Sequence, residues 1–307
     1  MDRKPLIVLF GPTASGKTAL AVEICKVFNG EVVTADSMQV YKGMDIGTAK
    51  PDSDEMQGIA HHMIDLISPD ENYSLAQYVE GAAKCIDDVL SRGKIPVLAG
   101  GTGLYIDTLV DNISLSNEER DEAYRKELTE LSEKCGNEVL MDMLSKVDGE
   151  SAKKLHLNDT KRIIRALEVY KATGIPKSEH DRRSRGQKSP YNAAKFCITA
   201  DRSKLYERIN QRVDIMFEKG LLDEVSELFN RGIDERYTSM QGIGYKEVLS
   251  HLKGDLSLDE CKDLIKQSTR KYAKRQVSWF KREQNTTEID MFCEKKLEIL
   301  KKHIDFC

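Results

Sequence analysis

The stretch that decides the fold is L-I-V-L-F-G-P-T-A-S-G-K-T, residues 6–18. Five apolar residues in a row, Leu6 to Phe10, read as a buried strand, and glycine stops them at once. Gly11, Pro12, Thr13, Ala14, Ser15, Gly16, Lys17 and Thr18 then fit G-x-x-x-x-G-K-[ST] in full. Beyond the loop, Leu20, Ile24, Val27 and Phe28 recur with helical spacing, which predicts a helix over 18–28. Gly11 and Gly16 let the backbone curl so that its N–H groups face phosphate oxygens, and the helix adds its positive N-terminal end. Lys17 sets a point charge on the terminal phosphates, and the Thr18 hydroxyl is placed to ligate Mg²⁺. The loop therefore specifies a di- or triphosphate and a metal, but not a reaction.

Outward from the loop, short apolar runs alternate with helical patterns. Residues 31–35 and 95–99 read as further strands, and 75–90 as an amphipathic helix. This alternation predicts a parallel sheet with helices on both faces. In such sheets, ligands bind beyond the carboxyl ends of the strands. Two polar segments leave the sheet there: Asp36-Ser37-Met38-Gln39, and Gly100-Gly101-Thr102-Gly103. Asp36 is thus a metal carboxylate, a general base or a helix N-cap. Thr102 follows two glycines, so its hydroxyl can come close to a ligand; capping a helix is its plainer role.

At about 150 residues per domain, 307 residues make about two domains. The reading is an α/β, P-loop NTPase-like parallel sheet flanked by helices. Residues 1–111 form its first part. Residues 112–192 form an all-helical insert domain, and 193–307 complete the core. That last part has a strand near 196–200 and is otherwise helical, with a break at 239–244.

Hydrophobic residues are 40% and charged residues 32%, which suits a folded core. No apolar run is long enough to span a membrane, and no signal peptide is recognisable. Seven scattered cysteines form no C-x-x-C pair, so neither a disulfide framework nor a zinc site is expected. A cytoplasmic monomer with mostly buried thiols is the reading. The net charge of −4 argues against a nucleic-acid partner when taken alone. Taken by segment it does not. Residues 111–150 hold 12 acidic and 5 basic side chains, whereas 151–188 hold 4 acidic and 11 basic. Residues 270–282 (RKYAKRQVSWFKR) hold six basic residues, no acidic one, and three aromatics. Solvated helix faces are the plain account, and a basic, aromatic-bearing surface for nucleic acid is the functional one.

Several motifs appear in a fixed order: GPTASGKT (11–18), DSMQVYKGMDIGTAKP (36–51), GGTGLY (100–105), NDTKRIIRALEV (158–169), RINQR (208–212) and QGIGYKE (241–247). Together they closely resemble the tRNA dimethylallyltransferases, over residues 6 to 283. The resemblance implies that the loop holds dimethylallyl diphosphate, with Mg²⁺, rather than a nucleotide for phosphoryl transfer. The dimethylallyl group would pass to N6 of the adenine just 3′ of the anticodon. It further implies that Asp36 is the base, that Thr102 lies beside amine and diphosphate, and that Arg212 faces the diphosphate, with Arg208 ranked below it. The anticodon stem-loop of tRNA would pass between core and insert with its target base flipped out. It would meet Asp36, Ser37, Met38, Gln39 and Thr102 on the core. On the insert it would meet Arg125 and Thr160, Lys161, Arg162, Ile163, Ile164 and Arg165. Arg275, Gln276 and Trp279 would add contacts from the C-terminal segment. With no C-terminal zinc-finger pattern, a bacterial-type enzyme is expected.

Two other readings stay open. One is an isopentenyltransferase of free adenine nucleotides, which needs neither insert nor basic C-terminus. The other is a P-loop small-molecule kinase with the insert as a lid. The missing N-K-x-D motif counts against a GTPase.

Overall fold

The computed structural model describes residues 3–113, 121–184 and 188–304. The chain divides into two compact units, one of Met1–Val110 with Pro190–Cys307, the other Asp111–Ser189. In order, the elements are β1 (Lys4–Phe10), α1 (Lys17–Phe28), β2 (Gly30–Ala35), the single turn α2 (Ser53–Met56), β3 (His61–His62), α3 (Leu75–Ser91), β4 (Ile95–Gly100) and α4 (Gly103–Val110). The second unit follows with α5 (Glu122–Cys135), α6 (Asn137–Val147), α7 (Gly149–Lys154), α8 (Thr160–Thr173) and α9 (Lys177–Ser184). The first unit resumes with β5 (Tyr191–Thr199), α10 (Arg202–Glu218), α11 (Leu221–Asn230), α12 (Tyr245–Leu252), α13 (Leu258–Phe280), β6 (Thr286–Asp290) and α14 (Lys296–His303).

The six strands form one parallel sheet in the order β3-β2-β4-β1-β5-β6. β1 sits inside it, and Leu6 to Phe10 are fully buried. A strand covered on both faces has no polar side, which explains its unbroken apolar run. Leu6, Val8 and Phe10 pack with Tyr78, Ala82 and Ile86 of α3 and with Phe280 of α13. Ile7 and Leu9 pack on the other face with Leu20, Ala21 and Ile24 of α1 and Ile289 of β6. Phe10 pairs in register with Gly100, and Ala35 with Gly100 as well. The ends of β1, β2 and β4 are therefore level. The glycine loop, Asp36 and Gly101 leave the sheet side by side.

The second unit packs Leu128, Leu140, Leu144, Ile163, Ile164, Ala166 and Leu167 into its own core. Asp148 is buried there and accepts from Ser151 and Ser178, each through its backbone N–H and hydroxyl.

Several expectations are corrected. The chain beyond Asp201 is not wholly helical, because Thr286–Asp290 forms β6. Only Ile289 of that edge strand is buried, so its sequence carries no apolar run. β5 begins at Tyr191, so the strand starts before residue 192, where the insert was read to end. Val27 is 41% exposed, and the buried face of α1 runs instead through Leu20, Ala21, Ile24 and Cys25. Cys25, Cys197 and Cys261 are buried, Cys85 and Cys293 half-buried and Cys135 exposed; Cys307 lies outside the described residues. Among the described residues no helix is long and apolar enough to cross a membrane.

Candidate active site

A cavity of about 690 Å³ opens at the level strand ends, entirely within the first unit. Thr13 to Ala19 of the loop, Asp36, Gln39, Gly100, Gly101, Arg208, Arg212, Tyr272 and Gln276 line it. The loop's shape is set locally. Gly16 sits at φ 84° before the first turn of α1, a conformation closed to most side chains. Ala14 has φ 61° without glycine's freedom, which costs about 1–3 kcal/mol. Its carbonyl is held by Arg208 Nε at 2.9 Å, and its methyl packs on Leu205, Ile209 and Ala273. Arg208 thus lines the cavity and braces the loop through the Ala14 carbonyl.

The charged groups deepest in the cavity are desolvated. Burial, then the neighbouring Arg212, brings the Lys17 ammonium down to about 8, while Asp36 pulls it up. Its Nζ donates to Pro12 O at 2.7 Å. Burial likewise lowers Arg212. Burial raises the Asp36 carboxyl above its usual 3.8, against the pull of the Met38 N–H and of Lys17. Two desolvated cations thus lie beside the Asp36 carboxyl, and Glu55, also on the cavity wall, steadies Arg212 ahead of Asp36. A polyanion bound beside Lys17 and Arg212 relieves the cations. The Ser15 hydroxyl is buried in the loop without a hydrogen-bond partner. Together with Thr18 it offers hard oxygen donors, the chemistry suited to Mg²⁺ held mainly by substrate phosphates. Among the described residues no group of three or more His, Cys, Asp or Glu could hold a metal alone.

Thr102 and Ser37 adjoin the cavity. The Ser37 N–H donates to Thr102 Oγ1 at 3.2 Å, and the Thr102 N–H donates to Ala35 O at 3.1 Å. The turn after β4 is thereby tied to the turn after β2. Asp36 Oδ1 accepts from the Met38 N–H at 2.9 Å, an Asx turn rather than a helix cap.

Gln276 corrects an expectation. Its side chain is buried, accepting from the Thr13 N–H at 2.8 Å and donating to Gly101 O at 2.8 Å. It joins the phosphate loop to the β4 turn and is not free for RNA. A Cβ on Gly101 would lie 2.4 Å from its Nε2, so any larger residue there would displace the Gln276 amide from these bonds. Trp279 is likewise turned inward, donating to Asp107 at 2.7 Å. Arg275 stays exposed. One turn before Gln276, Tyr272 reaches the cavity, and burial with nearby Asp36 pushes its hydroxyl up to about 12. Tyr272 was legible only as an interleaved aromatic, although its i,i+4 spacing from Gln276 puts both on one face.

On the second unit, Lys161 and Arg162 are exposed and Thr160 half-buried in the first turn of α8. Ile163 and Ile164 belong to the unit's core, so their side chains cannot face a ligand. Arg165 lies 3.7 Å from the buried Glu168 carboxylate. Arg125 grips that carboxylate with two bonds of 2.7 Å, a structural ion pair that leaves little of its fork for RNA.

Sequence elsewhere agrees with this geometry. A family profile described as IPP transferase matches residues 39–283, and one described as isopentenyl transferase matches residues 4–72. A tRNA dimethylallyltransferase of Acetivibrio thermocellus is 51% identical over 280 residues, covering 91% of this chain and 90% of that protein. One of Oceanobacillus iheyensis is 49% identical over 283 residues, covering 92% and 90%. The crystal structure of a full-length tRNA isopentenylpyrophosphate transferase from Bacillus halodurans superposes with a TM-score of 0.73 at 42% identity, covering 98% of this chain and 95% of that one. That of a eukaryotic dimethylallyltransferase acting on tRNA gives 0.80 at 31%, covering 96% and 76%. With a glycine loop, an adjacent carboxylate and buried cations at one sheet edge, and likeness along nearly its whole length, the chain belongs to the IPP transferase family of tRNA dimethylallyltransferases.

Proposed function

We propose that the protein moves the dimethylallyl group of dimethylallyl diphosphate to N6 of the adenine 3′-adjacent to the anticodon of tRNA. The observation that carries this is the pair of desolvated cations, Lys17 and Arg212, facing the buried Asp36 carboxyl in the cavity at the phosphate loop. In the reaction the C1–O bond to the diphosphate breaks and a C1–N6 bond forms. The N6 proton passes to Asp36, whose raised pKa makes it a better base than a surface carboxylate. The leaving diphosphate is met by the loop N–H groups, Lys17 and Arg212, which relieves the two desolvated cations as charge develops. Thr102, tied to Ser37 at the cavity's edge, would contact the amine and the bridging oxygen through its hydroxyl. Mg²⁺ would be held by Thr18 and the diphosphate, and when bound it adds positive charge at the leaving group. Lys161 and Arg162 of α8, with Arg275, supply cations for the RNA backbone.

The test is incubation with dimethylallyl diphosphate, Mg²⁺ and an anticodon stem-loop bearing that adenine. The expected product is RNA with one N6-dimethylallyl adenine. RNA left unmodified refutes the proposal. AMP outcompeting the stem-loop moves the activity to free nucleotides, and phosphate release from ATP without prenyl transfer moves it to the kinases.

A further inference from the structure

The segment after Gln39 turns back to line the cavity with Asp45, Ile46, Thr48, Ala49 and Lys50. Nothing regular holds this wall, because residues 42–50 form no helix or strand. It is held by one distant carboxylate on α11. Glu224 Oε2 accepts from the N–H groups of Asp45 and Ile46, each at 2.8 Å. Its Oε1 accepts from the Gly47 N–H at 3.1 Å and from the Tyr245 hydroxyl at 2.6 Å. Four donors converge on two oxygens, and only an ionised carboxylate accepts all four. Gly47 lies against the Tyr245 ring, where a Cβ would come within 2.5 Å. Lys50 fastens the far end, donating to Tyr41 O at 2.9 Å and to Asp45 and Asp65 at 2.5 Å each.

The wall in turn fixes a side chain beside Asp36. Gln39 Nε2 donates to Thr48 O at 3.2 Å and to Ala49 O at 3.1 Å, which takes up both N–H donors of the amide. Gln39 is left with an acceptor oxygen only. The chain of contacts runs from Glu224 by hydrogen bonds to backbone 45–47, along the main chain to carbonyls 48 and 49, and by hydrogen bonds to Gln39.

The geometry points to Glu224 as a positioning residue for the transfer: it touches no substrate, and it sets the cavity wall and Gln39 against which the two reactants align. This rests on the transferase reading above. Near-attack alignment is sensitive to small displacements, so loosening the wall slows the chemical step and leaves the phosphate grip of Lys17 and the loop intact.

Glu224→Gln keeps the shape but places an amide N–H against backbone donors. In the prenylation assay, kcat falls by about 10- to 100-fold. The KM for dimethylallyl diphosphate stays within about twofold, since the phosphate loop is untouched. Tyr245→Phe removes one donor and keeps the ring on Gly47, so it folds, and it lowers kcat in the same direction by a few-fold. Glu224→Gln that unfolds at a lower temperature but keeps wild-type kcat per folded molecule makes Glu224 merely structural and overturns the inference. Should that variant not fold, Tyr245→Phe with wild-type kcat overturns it equally. Wild-type protein inert toward the prenyl donor in the same assay refutes the transferase reading instead, so the two failures are distinguishable.

Discussion

Replacing Asp36 by Asn removes a charge and a base and little else. The amide keeps an oxygen for the Met38 N–H, 2.9 Å from Oδ1, so the Asx turn survives. Two consequences follow, and they separate by pH. First, the N6 proton loses its acceptor. A positioned base contributes about 10²–10⁴ in rate, or about 2.7–5.4 kcal/mol at 1.36 kcal/mol per tenfold. Second, Lys17 loses the carboxylate that holds its pKa up, leaving burial and Arg212 to push it below about 8. Transfer needs Asp36 ionised and Lys17 charged, so wild-type kcat/KM rises with pH through the Asp36 pKa, which burial sets above 3.8, and falls through about 8. Bound diphosphate favours the ammonium, so the falling limb lies higher in kcat than in kcat/KM. The variant loses the rising limb, and its falling limb moves down. Single-turnover prenylation of the stem-loop over about pH 5–9 reads both limbs, and filter binding reads RNA affinity, which losing an anion does not weaken. A variant within tenfold of wild type at neutral pH, with its rising limb intact, refutes Asp36 as the base.

Gln276→Leu leaves the Thr13 N–H and the buried Gly101 C=O without partners, which costs about 1–3 kcal/mol for each group. Calorimetry shows a lower melting temperature and kinetics a higher KM for the prenyl donor; unchanged unfolding removes the brace. Lys161→Ala with Arg162→Ala weakens stem-loop binding and flattens the slope of log K against log salt by about one to two units, and an unchanged slope takes α8 off the RNA. Glu31 is buried and gripped by Arg92, Lys94 and His62, with the Arg92 bonds the largest influence holding it well below the carboxylate range. That stability is present above the unfolded pKa near 4.5 and is lost as pH falls below it. Half-exposed Arg92 is partly screened, so Glu31→Gln lowers the melting temperature modestly at neutral pH. The gap to wild type closes in acid, and a gap that persists there contradicts this account.

The sequence reveals what repeats a period and hides what depends on single contacts. The buried run Leu6–Phe10 and the glycine loop fix the central strand and the site's level, because a strand covered on both faces has nowhere to put a polar residue. β6 escapes because an edge strand with one buried side chain looks like a loop. Asp36 is legible because strand ends in a parallel sheet meet at one edge. Gln276 and Trp279 were misread because they sit in a basic segment, and no local pattern says which side of α13 turns inward. The Glu224 clamp is invisible for a similar reason: its partners are backbone amides some 180 residues away, and a backbone N–H leaves no mark on residue type. Only Gly47 hints at it, as a glycine required by an approaching ring.

The charge of −4 is an average over segments with opposite duties, and α8 shows why the average misleads. Its first turn carries Lys161 and Arg162 and no acid, at the end where the helix dipole favours anions. Each such cation costs a few tenths of a kcal/mol at a solvated helix end. Asp159 offsets little of this, lying 3.5 Å from Arg162 with both side chains exposed. The same sequence builds orthodox ends elsewhere, with Asp259 and Glu260 opening α13 above a Ser257 capping box. Selection for stability alone would have treated α8 the same way. A polyanion laid across that turn reverses the sign of the penalty, because the phosphates meet the dipole, the free N–H groups and two cations together. The cavity beside Lys17 and Arg212 follows the same logic. In both places the protein holds cations that burial or the helix dipole disfavours, and under the proposed reaction a bound polyanion, diphosphate in one and RNA backbone in the other, would stabilise them.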